Sequence, residues 1–520
     1  MALLEARTLW ELVERRVAAT PDDLMAIDED GRRLTFADYL AAAERAAAGL
    51  QGLGVGEGVN VSWELPTWLE SMVLVGALSR LGAVQNPIIP IYRAREVGFV
   101  ARQTRARLLI VPSVWRGFDY EAMANEIASG VEGMDVLVAD RSLPEGDPAI
   151  LPPVPPAPDD PAGLPVRWLF YTSGTTADPK GAQHTDRTVM AAAYGMGVAL
   201  AVDDEDHSSL VFPFTHIGGI VLLMVGLMAG CRHLVVESFD PTTTIPFLTR
   251  EDVTLAGSVT PMHMAYLAEQ RKDPGRKLFP SVRACPGGAA PKPPQLHYDI
   301  KHEMGGAGIV SGYGLTECPI LSMNAVGDPD DKLANTEGRP TPGVQVRVVT
   351  VDGKPAGPGE EGEIRAVGPQ LFRGYLDSSL DAEAFDDDGF FRTGDLGNQD
   401  ADGFITITGR LKDIIIRKGE NISAKEIEDL LYTHPKVGDV AVIGIPDPAL
   451  GERCCAVVAP KDAADPLGFD EMVAFLREQK LMTQKIPEQL ELVGEVPRNP
   501  SGKILKHKLR EELAAKELAP

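Results

Sequence analysis

A segment rich in glycine and hydroxyl residues, YTSGTTADPKGA at positions 171–182, has the composition best suited to chemistry. Four small hydroxyl residues surround Gly174: Thr172, Ser173, Thr175 and Thr176. Backbone amides and short hydroxyl donors can approach a polyphosphate closely at such a loop, and Lys180 adds a cation. It is not a Walker A loop, because Pro179 and Gly181 flank the lysine, where that loop has glycine before it and serine or threonine after it. The segment predicts a phosphate-binding loop, although so short a match is also typical of a solvated turn.

The elements that must position this loop alternate along the chain. The apolar residues 166–170 predict a buried strand that ends where the loop begins. Other strands are predicted at 59–63, 83–90, 107–112, 136–139, 209–213, 234–237, 255–259 and 282–290, and helices at 9–19, 35–53, 68–81 and about 186–201. Strands that alternate with helices imply parallel sheets covered on both faces. A proline-rich stretch at 151–165 is predicted to be an internal linker.

The last third of the chain has a different pattern. Residues 344–374 predict an antiparallel hairpin around Asp352–Gly353 and a small β-barrel subdomain. In 404–419, two strands meet at a bend marked by Gly409. Beyond them, helices at 426–432 and 470–479 and strands at 437–445, 454–460 and 489–493 predict a compact α+β unit.

Composition excludes several classes of protein. A chain of 520 residues is too long for one core and predicts about two or three compact units. The net charge of −25 argues against nucleic acid as a partner. Five cysteines without C-x-x-C spacing disfavour a disulfide framework and a zinc site, and predict a reducing, cytoplasmic compartment. The apolar run 220–230 is too short to span a bilayer and predicts a buried helix; we expect no transmembrane segment, signal peptide or peroxisomal address.

The phosphate loop resembles that of the adenylate-forming enzymes, which comprise acyl- and aryl-CoA synthetases, peptide-synthetase adenylation domains and insect luciferases. The family's loop runs Y/F-T-S-G-T-T-G-x-P-K-G, and this chain keeps all of it except that Ala177 replaces the usual glycine. If the site needs positive φ there, alanine would be mildly strained, and loop geometry or ATP affinity would differ from the family's norm. The family's later motifs also follow in order, so the resemblance covers essentially the whole chain.

The resemblance implies roles for residues in the large domain. His216 would orient the substrate carboxylate at the mouth of the acyl pocket, although a lone histidine is more often structural. The residues predicted to border adenine or the acyl group are Ile217, Gly218, Gly219, Gly287, Gly288, Ala289, Ser311 and Gly312. Tyr313 would offer its ring to adenine, Thr316 its hydroxyl to phosphate, and Glu317 a carboxylate to Mg²⁺.

It also implies roles for residues toward the C-terminus. Asp395 would grip the ribose hydroxyls with Arg410, and Ile407 would pack on the ribose. Lys503, in PRNPSGKILKHKL, matches the catalytic lysine that bridges the acyl carboxylate and the α-phosphate. After rotation of the small domain, the loop 417–421 would replace that lysine, with Gly419 lining the pantetheine tunnel and Asn421 also at the cofactor site.

The predicted fold is α/β, with a large N-terminal domain of two αβαβα-type subdomains plus a small β-barrel. A small mobile α+β domain would follow, with boundaries at 1–411 and 412–520 and a hinge at Lys412. Hinges absorb large φ/ψ changes at a few positions where elements end, which this spacing permits.

The predicted function is that of an ATP-dependent acid:CoA ligase, with ATP, Mg²⁺ and CoA as cofactors or cosubstrates. The acid would be hydrophobic, with medium- to long-chain fatty acids as the first choice and aromatic, alicyclic or steroid-derived acids left open. Two other hypotheses remain: a ligase that transfers the acyl group to a carrier protein, and a non-catalytic nucleotide-binding homologue. The expected partners are small molecules, and a homodimer is one option left open.

Overall fold

The computed structural model describes residues 3–154, 157–158, 160, 163–172, 179–257, 259–288, 292–417, 420–447, 451–499 and 502–517. The helices are α1 (Leu9–Ala19), α2 (Phe36–Gly52), α3 (Leu69–Arg80), α4 (Ala94–Thr104), α5 (Tyr120–Ser129), α6 (Asp186–Leu200), α7 (Ile217–Ala229), α8 (Pro241–Arg250), α9 (Thr260–Gln270), α10 (Pro294–Glu303), α11 (Asp330–Asn335), α12 (Asp381–Ala384), α13 (Ala424–Leu431), α14 (Phe469–Glu478) and α15 (Lys506–Glu517).

The strands of the N-terminal part are β1 (Leu24–Asp28), β2 (Arg33–Thr35), β3 (Asn60–Trp63), β4 (Val84–Pro87), β5 (Leu108–Val111), β6 (Val114–Trp115), β7 (Phe118–Asp119), β8 (Asp135–Val138), β9 (Trp168–Thr172), β10 (Lys180–His184), β11 (His207–Leu210), β12 (Arg232–Val235), β13 (Cys285–Gly287), β14 (Ile309–Tyr313), β15 (Ser322–Met323) and β16 (Arg339–Pro340). Those that follow are β17 (Gln345–Val349), β18 (Gly362–Val367), β19 (Phe391–Gln399), β20 (Ile405–Arg410), β21 (Ile414–Arg417), β22 (Glu420–Ser423), β23 (Val437–Asp447), β24 (Gly451–Pro460) and β25 (Gln489–Leu492).

Two sheets with helices around them form most of the large domain, as the alternating pattern predicts. The first has the order β10-β9-β4-β3-β5-β8 and is parallel except for the β9–β10 hairpin. The second has the order β11-β12-β1-β2, and single bridges from Ser208 to Leu255 and from Leu255 to Ala284 connect it to β13-β14-β15-β16. The main core lies between these sheets and contains α7, which is buried along nearly its whole length.

Local sequence signals explain several of these boundaries. Thr35 caps α2 and forms a reciprocal capping box with Asp38. Helix α7 is apolar all round, as expected for a buried helix, and ends at Gly230 with φ +89°. The helix predicted at 220–230 is thus confirmed, with its start at Ile217.

Over the described residues of 255–259, the predicted strand is wrong beyond Leu255. Among these residues only Leu255 makes bridges, and Val259 already caps α9, whose second residue is Pro261. Proline at the first turn favours a helix start, because its missing N–H has no intrahelical acceptor there. The strand predicted at 209–213 is also displaced, since β11 ends at Leu210.

The C-terminal part divides into two units. Strands β17–β20 form a four-stranded antiparallel sheet, where the small β-barrel was predicted. Strands β21–β25 form a five-stranded sheet whose two faces carry separate apolar clusters, one packed under α13 and α14 and the other under α15. This is the predicted small α+β domain. Across the described part of the chain, no helix has the length and apolar character needed to cross a bilayer.

Candidate active site

The β9–β10 hairpin carries the two ends of the predicted phosphate loop. Thr172 pairs with Lys180 in the antiparallel register, and Gly181 pairs with Tyr171. A Cβ on Gly181 would lie 2.9 Å from the Tyr171 ring, so a glycine is required there. Lys180 therefore begins a strand rather than lying within a loop. Four predicted phosphate ligands, Ser173, Gly174, Thr175 and Thr176, lie outside the described residues.

A buried carboxylate joins two neighbouring units of the large domain. Asp395, which is 2% exposed on β19, accepts a hydrogen bond from the Tyr313 hydroxyl at 2.7 Å. Its other oxygen lies 2.7 Å from Arg410 Nε, because Asp395 and Arg410 are directly opposite each other on β19 and β20. The charge of Asp395 raises the pKa of Arg410, so the guanidinium stays protonated. Tyr313, Asp395 and Arg410 thus combine an aromatic face with groups that can form hydrogen bonds with a sugar hydroxyl. Ile407 lies on the same strand as Arg410.

Glu317 is the candidate metal ligand. Its side chain is buried, and its Oε1 accepts a hydrogen bond from the Tyr375 hydroxyl at 2.7 Å. The preceding residue is fixed through its backbone, since Nε2 of the buried His184 lies 2.8 Å from the Thr316 carbonyl. Burial lowers the pKa of His184 to about 4, so the imidazole is neutral and can donate to that carbonyl. One carboxylate suits Mg²⁺ when nucleotide phosphates and water supply its other ligands.

His216 caps the buried helix α7. Its Nδ1 accepts a hydrogen bond from the backbone N–H of Gly218 at 3.1 Å, which leaves Nε2 as the protonated nitrogen of a neutral ring. Burial, together with the nearby positive charge of Lys503, lowers the pKa of His216 to about 4. A Cβ on Gly219 would lie 2.4 Å from the Phe214 carbonyl oxygen, so this helix start tolerates only glycine there. His216 is therefore a neutral hydrogen-bond donor at neutral pH.

Lys503 reaches this group of residues from the small domain. Its turn is closed by hydrogen bonds with Asn499, and Gly502 has φ +79° and packs against Val259 of the large domain. Burial and the charge of Arg410 lower the pKa of Lys503, while Asp395 and Glu317 oppose that shift. The lysine thus lies within electrostatic reach of the predicted ribose and metal residues.

Three backbone segments approach closely where the predicted adenine residues lie. A Cβ on Gly288 would be 2.9 Å from the Gly312 carbonyl oxygen, and one on Gly312 would be 3.1 Å from the Ser322 carbonyl oxygen. The hydroxyl of the buried Ser311 donates to the Thr336 carbonyl at 3.3 Å. This packing positions Tyr313 at the end of β14. Ala289 lies outside the described residues.

The predicted hinge lies between β20 and β21. Lys412 is exposed in a single 3₁₀ turn, Leu411–Asp413, which directly follows Arg410. The backbone of Asn421 pairs with Ile416 on β21, whereas Gly419 lies outside the described residues.

A cavity opens beside His216 and Thr316. The residues that line it, apart from these two, are Pro87, Ile88, Ile89, Tyr92, Val100, Phe170, Tyr171, Thr215 and Ile217. The Thr215 hydroxyl is buried and makes no hydrogen bond within the described structure. The lining thus combines a few polar groups with aliphatic and aromatic side chains, and none of these lining residues carries a formal charge.

The sequence reasoning missed two residues of this site, His184 and Tyr375. Each acts on a residue far away in the chain, at Thr316 and Glu317 respectively. Neither belongs to a motif whose spacing predicts such a contact. The loop 87–92, which lines the cavity, also carried no signal beyond its prolines.

Fold and site together define an α/β enzyme in which a small C-terminal domain carries a lysine to a nucleotide-type site on a large domain. The AMP-binding enzyme family matches residues 13–376, and the AMP-binding enzyme C-terminal domain matches residues 426–503. The chain belongs to the AMP-binding enzyme family. It is an AMP-forming acid–thiol ligase, and the CoA ligases of this class use ATP and Mg²⁺ and take CoA as a substrate.

Similar proteins cover nearly the whole chain. The chain is 30% identical over 515 residues to the medium-chain fatty-acid–CoA ligase of Escherichia coli (strain K12), covering 97% of this chain and 89% of that protein. It is 32% identical over 534 residues to the salicyl-AMP ligase / salicyl-S-ArCP synthetase of Mycobacterium tuberculosis (strain H37Rv), covering 98% and 91%. The structure of Bacillus subtilis o-succinylbenzoate coenzyme A synthetase in complex with ATP and magnesium ion matches with a TM-score of 0.83 and 26% identity, over 96% of this chain and 99% of that one.

Proposed function

We propose that this enzyme activates a hydrophobic carboxylic acid as its acyl-adenylate and then transfers the acyl group to CoA. The observation that carries the proposal is the position of Lys503. Its charge lowers the pKa of His216, and its own pKa is changed by the charges of Arg410, Asp395 and Glu317. A cation delivered by one domain to a carboxylate-bearing site on another suits a reaction between two anions, the acid and ATP.

In the first step the acid's carboxylate attacks the α-phosphorus of ATP, and pyrophosphate leaves. Asp395 and Arg410 hold the ribose, and Tyr313 provides a face for adenine. Lys503 offsets the repulsion between the negative charges of the carboxylate and the α-phosphate as the two groups approach. Neutral His216 donates a hydrogen bond from Nε2 to the carboxylate. Mg²⁺, held by Glu317, would neutralise phosphate charge.

In the second step the CoA thiolate attacks the acyl carbonyl and AMP leaves. We propose that the domains divide at 411/412 and that the small domain turns about Lys412, which is exposed in a single turn between two strands. This turn would withdraw Lys503 and bring the loop 417–421 to the adenylate. Gly419 and Asn421 keep their predicted roles at the pantetheine tunnel.

The lining of the cavity beside His216 favours an apolar acid, and its walls must move to admit one, because the cavity has room for little more than one water molecule. Its polar groups, His216, Thr215 and Thr316, suit the carboxylate end, and its other walls are mainly aliphatic and aromatic. Because no formal charge lies among these walls, an amino acid or a second acidic group would be poorly stabilised there. Medium- to long-chain fatty acids are our first choice, which the name of the Escherichia coli relative supports.

Two alternatives concern the same chemistry. Aromatic, alicyclic or steroid-derived acids would also match an apolar cavity, and the salicyl and o-succinylbenzoate names show that relatives act on aromatic acids. Transfer to an acceptor other than CoA is the second, since one relative is named for a salicyl-S-ArCP product.

We propose the cytoplasm as the compartment, because all five cysteines are buried free thiols.

The decisive experiment measures pyrophosphate release from Mg·ATP with fatty, aromatic, alicyclic and amino acids, each with and without CoA. We expect release with an apolar acid that rises when CoA is present, and acyl-CoA as the product. Release that does not respond to CoA would favour the carrier-protein alternative. No release with any acid, from folded protein that still binds ATP, would contradict the ligase.

A further inference from the structure

The segment 372–376 connects the strand of Lys180 with the turn of Glu317. The Leu376 N–H donates to the Gly181 carbonyl at 2.8 Å, so the segment runs along β10 like an added strand. At its other end the Phe372 N–H donates to the Glu317 carbonyl, also at 2.8 Å. The segment therefore fixes the distance between the candidate phosphate lysine and the candidate metal ligand.

Tyr375, in the middle of this segment, contacts both charged side chains. It is 4% exposed, and its hydroxyl donates to Glu317 Oε1 at 2.7 Å. The Lys180 ammonium lies 5.1 Å from the centroid of the Tyr375 ring, within cation–π range. Burial and the Glu317 charge raise the pKa of Tyr375, so its phenol remains a proton donor.

We propose that Tyr375 is a positioning residue for the metal–phosphate centre. Its hydroxyl holds Glu317 Oε1, which leaves Oε2 oriented for Mg²⁺, and its ring holds the Lys180 ammonium beside the phosphates. Partners that orient a metal-binding carboxylate in this way commonly change metal affinity when they are removed. The proposal rests on the proposed function, because it assigns the metal to Glu317.

A packing role alone would need the ring and not the hydroxyl. Tyr375 belongs to an apolar cluster with Ala182, Phe372 and Phe391, and its ring meets that of Phe372 edge-on at 4.8 Å. Tyr375→Phe keeps these contacts and the contact with Lys180 and removes only the hydrogen bond to Glu317. Tyr375→Leu removes both charged-group contacts.

The test is the binding of Mn²⁺ to the complex of the enzyme with α,β-methylene-ATP, followed by the electron paramagnetic resonance of free Mn²⁺. We expect Tyr375→Phe to weaken Mn²⁺ binding by about 10- to 100-fold and to leave binding of the analogue without metal unchanged. Tyr375→Leu should additionally weaken metal-free binding of the analogue by about 2- to 30-fold, through loss of the contact with Lys180. Tyr39→Phe is the matched control, because its buried hydroxyl makes no hydrogen bond within the described structure.

Unchanged Mn²⁺ affinity in Tyr375→Phe would overturn the proposal. If that variant is unstable by thermal unfolding, the comparison is repeated in Glu317→Gln protein, where Tyr375→Phe should then have less than about 2-fold effect on Mn²⁺ binding. A persistent large effect there would indicate general disruption and would also overturn the proposal. Neither measurement needs an acid or CoA, so a failed acid panel beside an intact Mn²⁺ effect would contradict the ligase proposal alone.

Discussion

Lys503 is a cation that the fold keeps partly buried among charges of both signs. Burial and the neighbouring Arg410 lower its pKa, and Asp395 and Glu317 offset part of that shift. An ammonium in such surroundings has lost water and gains more from an arriving anion than an exposed lysine would. The attraction between the Lys503 ammonium and these anions is therefore strong when a carboxylate and an α-phosphate approach the lysine together.

We expect Lys503→Ala to slow adenylation by about 100- to 1,000-fold, the usual effect of removing one group that stabilises transition-state charge. The same variant should convert supplied acyl-adenylate and CoA to thioester at nearly the normal rate, because in that step the lysine would be withdrawn. The two half-reactions are measured separately, by pyrophosphate release and by thioester formation.

Lys508→Ala serves as the control, because Lys508 is an exposed cation on the neighbouring helix α15. It should change neither half-reaction. An equal loss of both half-reactions in Lys503→Ala would contradict the rotation of the small domain.

At the scale of elements, helix α7 determines how His216 is presented to the cavity. The helix is enclosed by the main core, and its glycines allow neighbours to approach closely. Gly226 faces the buried His233 on β12, where a Cβ would lie 2.2 Å from Nε2. Because Gly226 has no side chain, helix α7 packs closely against the second sheet.

Gly226→Ala should lower the free energy of unfolding by about 1–3 kcal/mol, because the added methyl group must displace His233 in a closely packed core. Gly52→Ala is a matched helical control, since no heavy atom would lie within 4 Å of its Cβ. That variant should be neutral or stabilising by up to about 1 kcal/mol. Thermal unfolding of the two variants measures the difference, and equal midpoints would contradict the packing argument.

The sequence predicts elements well where the signal is local. The helix at 220–230 and the strand at 166–170 are apolar runs of the right length, and the structure contains α7 and β9 there. The elements around Leu255 could not be predicted in this way, because single bridges to two different neighbours decide that segment. Tyr375 illustrates the same limit, since its contact with Glu317 depends on how segment 372–376 packs along β10.

The candidate site was predictable to the extent that its residues belong to motifs. Tyr313, Asp395, Arg410 and Lys503 come from four separate segments of the sequence, and the fold brings them into one region. What the motifs could not specify are the groups that hold them, such as His184 on Thr316. Those contacts depend on side-chain packing between elements, which no spacing along the chain encodes.

At the scale of the whole molecule, the contacts between the two domains include a glycine and a group of charged side chains. Gly502 packs against Val259, and the buried Lys292 of the large domain is influenced by Lys425 and Asp429 on α13. Burial lowers the pKa of Lys292 and raises that of Asp429, so each is a costly charge to keep in the interface. Separation of the domains would return these charges to water, which favours the rotation that we propose for the small domain.

Four histidines of the large domain have their pKa lowered to about 4 mainly by burial: His184, His216, His233 and His263. In the unfolded chain these groups take up protons near pH 6.5, whereas in the folded protein they do so only near pH 4. Their contribution to stability is therefore complete above about pH 6.5 and is lost as the pH falls toward 4. The raised pKa values of buried carboxyls such as Glu64 and Asp186 oppose this loss over part of the range.

His233→Gln isolates the contribution of a histidine that is not among the proposed site residues. Between about pH 6 and 4.5 the wild-type protein should lose about 1.4 kcal/mol more stability per pH unit than the variant, because its unfolding takes up one proton more. Calorimetric unfolding at pH 5 in buffers of different ionisation enthalpy measures that proton directly. His302→Gln is the control for the replacement of a histidine by glutamine, because His302 is exposed at the end of α10. Identical proton uptake by the wild type and His233→Gln would mean that the buried imidazole already carries its proton in the folded protein.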